Sequence, residues 1–249
     1  MTRFENYILN EGRSKTITEE QVIEMLSVYC SKAVKTYASS PIYRGVNNKD
    51  DYFYILPNPL KPRISANTAN FYTLIMNNAP KWKKYPKRQI ICSTNSLTAV
   101  SFGGGMRNSF QVFPYNGSKI GVCPTDDIWN SIDMFNLNTV NETIQYLLEF
   151  FGMDWDDIKK YKQLINAFKK IKVKNIDWDN IYTTDEIVDS ISSFTTLYDW
   201  AMDFYDPSKN GFKVIKVGSK LPIGDNEVWL DSKCVMIRKK KVNYIMRQL

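Results

Sequence analysis

The chain has 249 residues, 43% of them hydrophobic and 14% aromatic, which is enough for a proper core and excludes a disordered composition. Its net charge of +7 favours an anionic partner, whether a dinucleotide, a nucleic acid or an acidic protein surface. It contains no histidine, which removes Ser/His/Asp and Cys/His triads and histidine-ligated metal sites together. Chemistry is left to carboxylates, arginine, lysine and hydroxyls, and no metal is expected.

Cys30, Cys92, Cys123 and Cys234 lie far apart, with no C-x-x-C pair, and read as reduced core residues. No apolar run approaches the ~18–20 residues of a membrane span, and Tyr7-Ile8-Leu9 is too short for a signal-peptide core. The sequence points to a reducing cytoplasm and to no membrane partner.

Residues 1–13 look separate from the rest of the chain. Thr18 and Gln21 have capping-box spacing, and Val22, Leu26, Tyr29, Cys30, Ala33 and Tyr37 form one helical stripe that runs to about Ala38. Ser39-Ser40-Pro41 stops it, and Ile42 to Val46 reads as a short strand. Residues 47–64, with Asn, Asp and three prolines, read as a long loop. A short helix is expected around Phe71, Leu74 and Ile75. Lys81 to Arg88 is a basic run with interleaved aromatics. It reads either as a solvated loop or as a surface that touches phosphates and stacks on bases. Gln89 to Ser93 is the next strand, Gly103-Gly104-Gly105 a turn, and Phe110 to Val122 a hairpin around Asn116-Gly117.

Residues 138–204 change character. One stripe contains Val140, Ile144, Leu147, Leu148 and Phe151. A second, capped by Asp154, contains Ile158, Tyr161, Leu164, Ile165, Phe168 and Ile171, and its many lysines read as a solvated face. A third contains Ile187, Ile191, Phe194, Leu197 and Tyr198. This is a helical block within a β-rich chain. Phe212 to Val217, Glu227 to Leu230 and Val235 to Arg238 return to strand.

Three short segments carry the chemistry: Tyr43-Arg44-Gly45, Ser93-Thr94-Asn95-Ser96 and Asp225-Asn226-Glu227-Val228, each beside an expected strand. Singly, each is an ordinary surface, turn or strand-entry segment. Together they suit cleavage of a nicotinamide–ribose bond. Arginine gives bidentate contacts to a pyrophosphate. Serine and threonine hydroxyls arrange the ribose pocket. A carboxylate on a ribose hydroxyl stabilises the oxocarbenium-like transition state. Asp225, two residues before Glu227, would face the same side of a strand.

In this order the segments resemble the arginine–serine–glutamate class of mono-ADP-ribosyltransferases, over roughly residues 19–125 and 210–245. The resemblance implies NAD as co-substrate, with Arg44 and Gly45 at the phosphates, Ser93 and Thr94 at the ribose and Phe102 against nicotinamide. Glu227 is then catalytic and Asp225 guides the acceptor. It also implies an α+β fold, a split antiparallel β-sandwich with an N-terminal helix and a helical insertion at about 138–204, as one domain over 12–249. Two positions depart from the family pattern. Asn95 stands where serine is usual, and Asp225 where glutamate or glutamine is usual, which leaves the acceptor open and makes plain NAD hydrolysis credible.

Phe4 to Gly12 resembles the capsid-targeting peptides of T-even-type tailed phages, with Leu9-Asn10-Glu11 as the cleavage site, so residues 1–11 are expected to be removed. The two resemblances imply a phage enzyme carried in the virion head and acting on a host protein in the host cytoplasm. The alternatives are an NAD glycohydrolase at the same site and a non-enzymatic head-interior protein on the same fold. A nucleic-acid-binding module resting on Lys81–Arg88 and the basic C-terminus is the third.

Overall fold

The computed structural model describes residues 13–58, 71–131 and 137–249. In chain order the elements are β1 (Arg13–Thr16), α1 (Glu19–Tyr29), α2 (Ser31–Thr36), β2 (Tyr43–Gly45), β3 (Tyr52–Leu56), α3 (Phe71–Asn78), β4 (Ile90–Ser93), α4 (Ser96–Gly103), β5 (Ser109–Pro114) and β6 (Lys119–Val122). Next along the chain are α5 (Leu137–Phe150), α6 (Tyr161–Lys170), α7 (Asp185–Ser192), α8 (Leu197–Phe204), β7 (Lys213–Lys216), β8 (Glu227–Leu230), β9 (Cys234–Arg238) and α9 (Val242–Met246). Residues 1–11, expected from the sequence to be a targeting peptide, lie outside the described residues.

The chain divides into two compact units. The first takes Met1–Arg63, Lys84–Asp127 and Phe212–Leu249, and the second takes Ile64–Lys83 and Ile128–Gly211. The expected helical block at 138–204 falls inside the second unit.

The first unit is α+β. Its described strands form one nine-stranded sheet in the order β1-β3-β9-β5-β2-β4-β8-β6-β7. Every pairing is antiparallel. The helix after Thr18 forms as the capping box requires: the Thr18 hydroxyl accepts from the Gln21 amide, and the Gln21 side chain accepts from the Thr18 amide. The stripe expected to run to Ala38 is broken at Cys30, which is fully buried and points its thiol at the Phe113 carbonyl, 3.3 Å away.

Two expectations fail here. Tyr52–Leu56 is a strand inside the expected loop. Its alternation buries Phe53 and Ile55, a period-two signal masked by the polar and proline-rich flanks. Phe110 to Val122 is not a hairpin. Asn116 and Gly117, the latter at φ 85°, do reverse the chain. However, β5 pairs with β2 and β9, whereas β6 pairs with β7 and β8. The Asn116 amide bonds the Tyr29 carbonyl and its side-chain oxygen accepts from Lys32, so the turn is anchored to the α1–α2 junction. Three strands separate β5 from β6 in the sheet. At ~4.8 Å per step a flat sheet would hold them about 19 Å apart. The four-residue link Tyr115–Ser118 reaches only about 17 Å fully extended. The sheet therefore curls.

The core of this unit takes Val22 and Leu26 from α1, Phe53 and Ile55 from β3, Phe110 and Val112 from β5, and Val228, Leu230, Val235 and Ile237 from β8 and β9. At the sheet's two ends among the described strands, β1 pairs only with β3 and β7 only with β6.

The second unit is helical. Leu164, Ile165, Ala167 and Phe168 form the buried face of α6, and Val140, Ile144, Leu147 and Leu148 that of α5. The third stripe is two helices, because the Thr196 hydroxyl accepts from the Asp199 amide and starts α8 afresh. Among the described residues no helix is long and apolar enough to cross a membrane.

Candidate active site

The three segments singled out in the sequence come together. β2, β4 and β8 are consecutive strands in the sheet. Tyr43 sits opposite Ser93, and Ser93 opposite Glu227, so the three lie in one row across the sheet. Directly paired residues share a face, which puts the Ser93 and Glu227 side chains on one side of the sheet.

Asp225 reaches the same place from the loop that enters β8. One of its oxygens accepts from the Ser93 hydroxyl at 3.0 Å. The other accepts from the Asn95 amide at 2.9 Å and the Thr98 hydroxyl at 2.7 Å. The two departures from the family pattern, Asn95 and Asp225, are thus partners. Asn95 also caps α4, its side-chain oxygen accepting from the Leu97 amide at 2.8 Å. Thr94 clasps the loop: its hydroxyl donates to the Gly224 carbonyl at 2.9 Å and accepts from the Asn226 amide at 2.9 Å. Asn226 in turn donates to the Cys123 and Pro124 carbonyls.

Glu227 is only 6% exposed. Its carboxylate meets the guanidinium of Arg88, with contacts of 2.8 and 3.0 Å to one oxygen and 2.8 Å to the other. Removing two charges from water is compensated only by geometry this close. Arg88 is the residue that sequence reasoning missed. It ends the Lys81–Arg88 run, just before β4, and nothing in its spacing separates it from the neighbouring lysines. The same stretch places Trp82 and Tyr85 indoors, 3% and 7% exposed, so neither offers the free face that stacking on bases requires. Lys83, Lys84 and Lys87 remain exposed.

Arg44 does not join this row. It follows Tyr43 by one residue, and strand alternation turns it to the opposite face. There it is 8% exposed, opposite Phe110, and its guanidinium donates to the Ile91 carbonyl. It lies close enough to Cys234 to oppose the effect of burial, which raises that thiol well above its usual range. In this arrangement Arg44 ties β2 to β4 from within the core.

Gly45 answers a packing need. A Cβ there would lie 1.9 Å from the Ala99 carbonyl oxygen and 2.4 Å from the Gly103 amide. Only glycine lets β2 touch the backbone of α4. In the glycine triplet, Gly103 meets Gly45, and Gly104, at φ 71°, closes α4 as its left-handed cap. Phe102, near the end of the same helix, is 61% exposed. Lys239 approaches the row from outside, its ammonium 2.8 Å from the Ser96 hydroxyl and 5.4 Å from the centre of the Tyr43 ring.

The cluster supplies one buried, arginine-held carboxylate and one partly exposed carboxylate. A serine hydroxyl lies between them, with a lysine and an exposed phenyl ring nearby. Among the described residues no group of three or more His, Cys, Asp or Glu side chains is placed to hold a metal ion. Comparison of the chain with protein-family models, with curated proteins and with solved structures gives no match.

Proposed function

We propose that the chain is an NAD-dependent mono-ADP-ribosyltransferase that modifies a host protein during phage infection. One observation carries the reading: the arginine, serine and glutamate segments, remote in sequence, meet on three consecutive strands, with Ser93 directly opposite Glu227. The curled sheet supports the split-sandwich arrangement that the family resemblance implies. The phage-head context rests on the sequence Phe4 to Gly12 alone.

In this reading Glu227 accepts a hydrogen bond from a ribose hydroxyl of NAD. The C1′–N bond breaks, nicotinamide leaves with the bonding electron pair, and the carboxylate stabilises positive charge at C1′. An acceptor nucleophile then forms the new C1′ bond and gives up its proton. Arg88 holds the Glu227 carboxylate in place before the ribose arrives. The phosphate contacts assigned by resemblance to Arg44 are given in this reading to cations on the Glu227 side of the sheet, such as the exposed Lys239 beside Ser96 and Tyr43.

NAD hydrolysis at the same site is favoured by a separate observation. Asp225 already accepts from three side chains, which leaves it little capacity to orient a protein nucleophile, whereas water needs less orientation.

Labelled NAD with host lysate separates the readings. Label on protein supports transfer, free ADP-ribose supports hydrolysis, and no turnover supports a head-interior protein without activity. Glu227→Ala would leave Arg88 buried without its carboxylate, at a cost of about 3–5 kcal/mol, so Glu227→Gln is the informative change. It keeps one oxygen acceptor for Arg88, and in protein shown folded by circular dichroism it is expected to lower turnover about 10²–10³-fold. Wild-type turnover in a folded Glu227→Gln protein removes Glu227 from the site.

A further inference from the structure

The chain holds 33 basic and 26 acidic residues. Seven of the lysines lie between Lys159 and Lys174, a stretch with no Asp or Glu, so the rest of the chain balances at 26 against 26. The net charge of the whole molecule therefore resides in one segment of the second unit: the start of α6, the helix itself and the turns after it.

All seven lysines are exposed. Lys159 pairs with Asp156 at 3.9 Å on the surface, and the other six form no ion pair among the described residues. Leu164, Ile165, Ala167 and Phe168 face the core. Lys162, Asn166 and Lys169, at i, i+4 and i+7, form an outward stripe. The fold accounts for only part of this placement: the Lys169 ammonium lies 4.8 Å from the centre of the Tyr198 ring. Lys169 and Lys170 suit the negative end of the helix, but Lys160 occupies the N-cap position with no side-chain cap bond, and Lys162 lies in the first turn. Both put positive charge at the positive end of the helix, where it is unfavourable.

We propose that this lysine face binds the phosphate backbone of nucleic acid without reading its sequence. A protein partner with an acidic surface is the weaker fit. Stable protein interfaces are built around apolar cores and are poor in lysine. No large hydrophobic side chain is exposed between residues 159 and 174. Lysines are point charges suited to phosphate. Duplex DNA presents one negative charge per ~1.7 Å of axis, so a lysine face about 10 Å long from Lys162 to Lys169 meets several. This inference is independent of the NAD reading.

The test uses the full chain and the fluorescence anisotropy of a labelled DNA duplex and of a labelled single-stranded RNA, each titrated across a range of KCl concentrations. Binding should weaken steeply with salt. Lys162→Gln/Lys169→Gln/Lys172→Gln should reduce affinity at least tenfold and flatten the log–log salt slope by about 0.9 for each phosphate that the variant no longer neutralises. The variant should stay folded, with at most a small fall in melting temperature from loss of the Lys169–Tyr198 contact. Lys83→Gln/Lys84→Gln/Lys87→Gln, in the expected nucleic-acid run, should leave binding as in wild type. Tight binding to either nucleic acid with this pattern supports the proposal. Undiminished binding by the α6 triple variant overturns it, as does loss confined to the Lys83–Lys87 variant. Polyglutamate that displaces the nucleic acid charge for charge also overturns it, by marking a face for acidic protein.

Discussion

At the scale of single residues, the site is most informative where it departs from the family pattern. Aspartate has a shorter reach than glutamate, and asparagine replaces a serine hydroxyl with a longer amide. The 2.9 Å bond between Asn95 and Asp225 shows that the two residues fit one another. A double-mutant cycle over Asn95→Ala and Asp225→Ala is therefore expected to show coupling of about 1 kcal/mol in urea unfolding, because a hydrogen bond to a charged group can be removed only once. Additive effects would mean that the bond contributes nothing to the loop.

Much of this site was legible in the sequence, and the limits of that legibility are physical. Ser93 and Glu227 could be picked out as strand residues, and the structure pairs them directly. Asp225, expected on the same strand, lies instead in the loop before β8 and reaches Ser93 through a side-chain hydrogen bond. Arg44 could not be assigned a face, because whether Tyr43 or Arg44 stands opposite Ser93 is set by strand pairing, not by local pattern. Arg88 was hidden in a run of similar charges, and its partner lies 139 residues away.

At the scale of elements, the contact of β2 with α4 depends on two glycines. Gly45→Ala would drive a methyl group into the carbonyl of Ala99 and the backbone of Gly103, neither of which is a flexible side-chain end. The expected loss is about 3 kcal/mol, the upper end for overpacking. Circular dichroism during urea unfolding would measure it. A change under about 0.5 kcal/mol would show that the helix shifts freely.

The turn after α8 is held by charge. Partial burial pushes the Asp206 carboxyl up, but hydrogen bonds from Lys81, at 2.6 Å, and from Ser208 outweigh this and hold it at about 2. Because the folded value lies below the unfolded one, about 3.9, this stabilisation is fully present above about pH 4 and is lost as pH falls through about 2. Asp206→Asn should weaken the acid dependence of melting in that window and leave a smaller difference from wild type at low pH than at neutrality. An unchanged acid limb would show that Asp206 does not contribute.

Element identity was the more readable part of the fold. Amphipathic stripes gave α1, α3, α5 and α6, and β-former runs gave β4, β7, β8 and β9. Strand order was not readable. The Asn116-Gly117 turn signals a reversal whether the flanking strands pair or part. Parting here depends on the α1–α2 junction that holds the turn.

At the scale of the whole molecule, the first strand of the sheet begins at Arg13, whose pairing with Leu56 opens the β1–β3 ladder. A chain that starts at Gly12 retains that ladder and the Thr18 cap. It is expected to melt within about 2 °C of the full chain and to keep any NAD turnover intact. Unfolding of the shortened chain would make residues 1–11 part of the domain. Mass spectrometry of virions reads the other half of the expectation, a mature N-terminus at Gly12.

The sheet's outer strands have a consequence for how copies of the protein behave in company. Among the described residues β1 contains the exposed Lys15, and β7 begins and ends with the exposed Lys213 and Lys216. An open strand edge invites another chain to extend the ladder. Here either end would bring lysine ammonium groups of two copies together, from Lys15 of β1 or from Lys213 and Lys216 of β7, and like charges repel most when few counter-ions lie between them. Mutual avoidance of this kind is a colloidal property: it keeps crowded copies apart in dilute buffer and fades as salt is added.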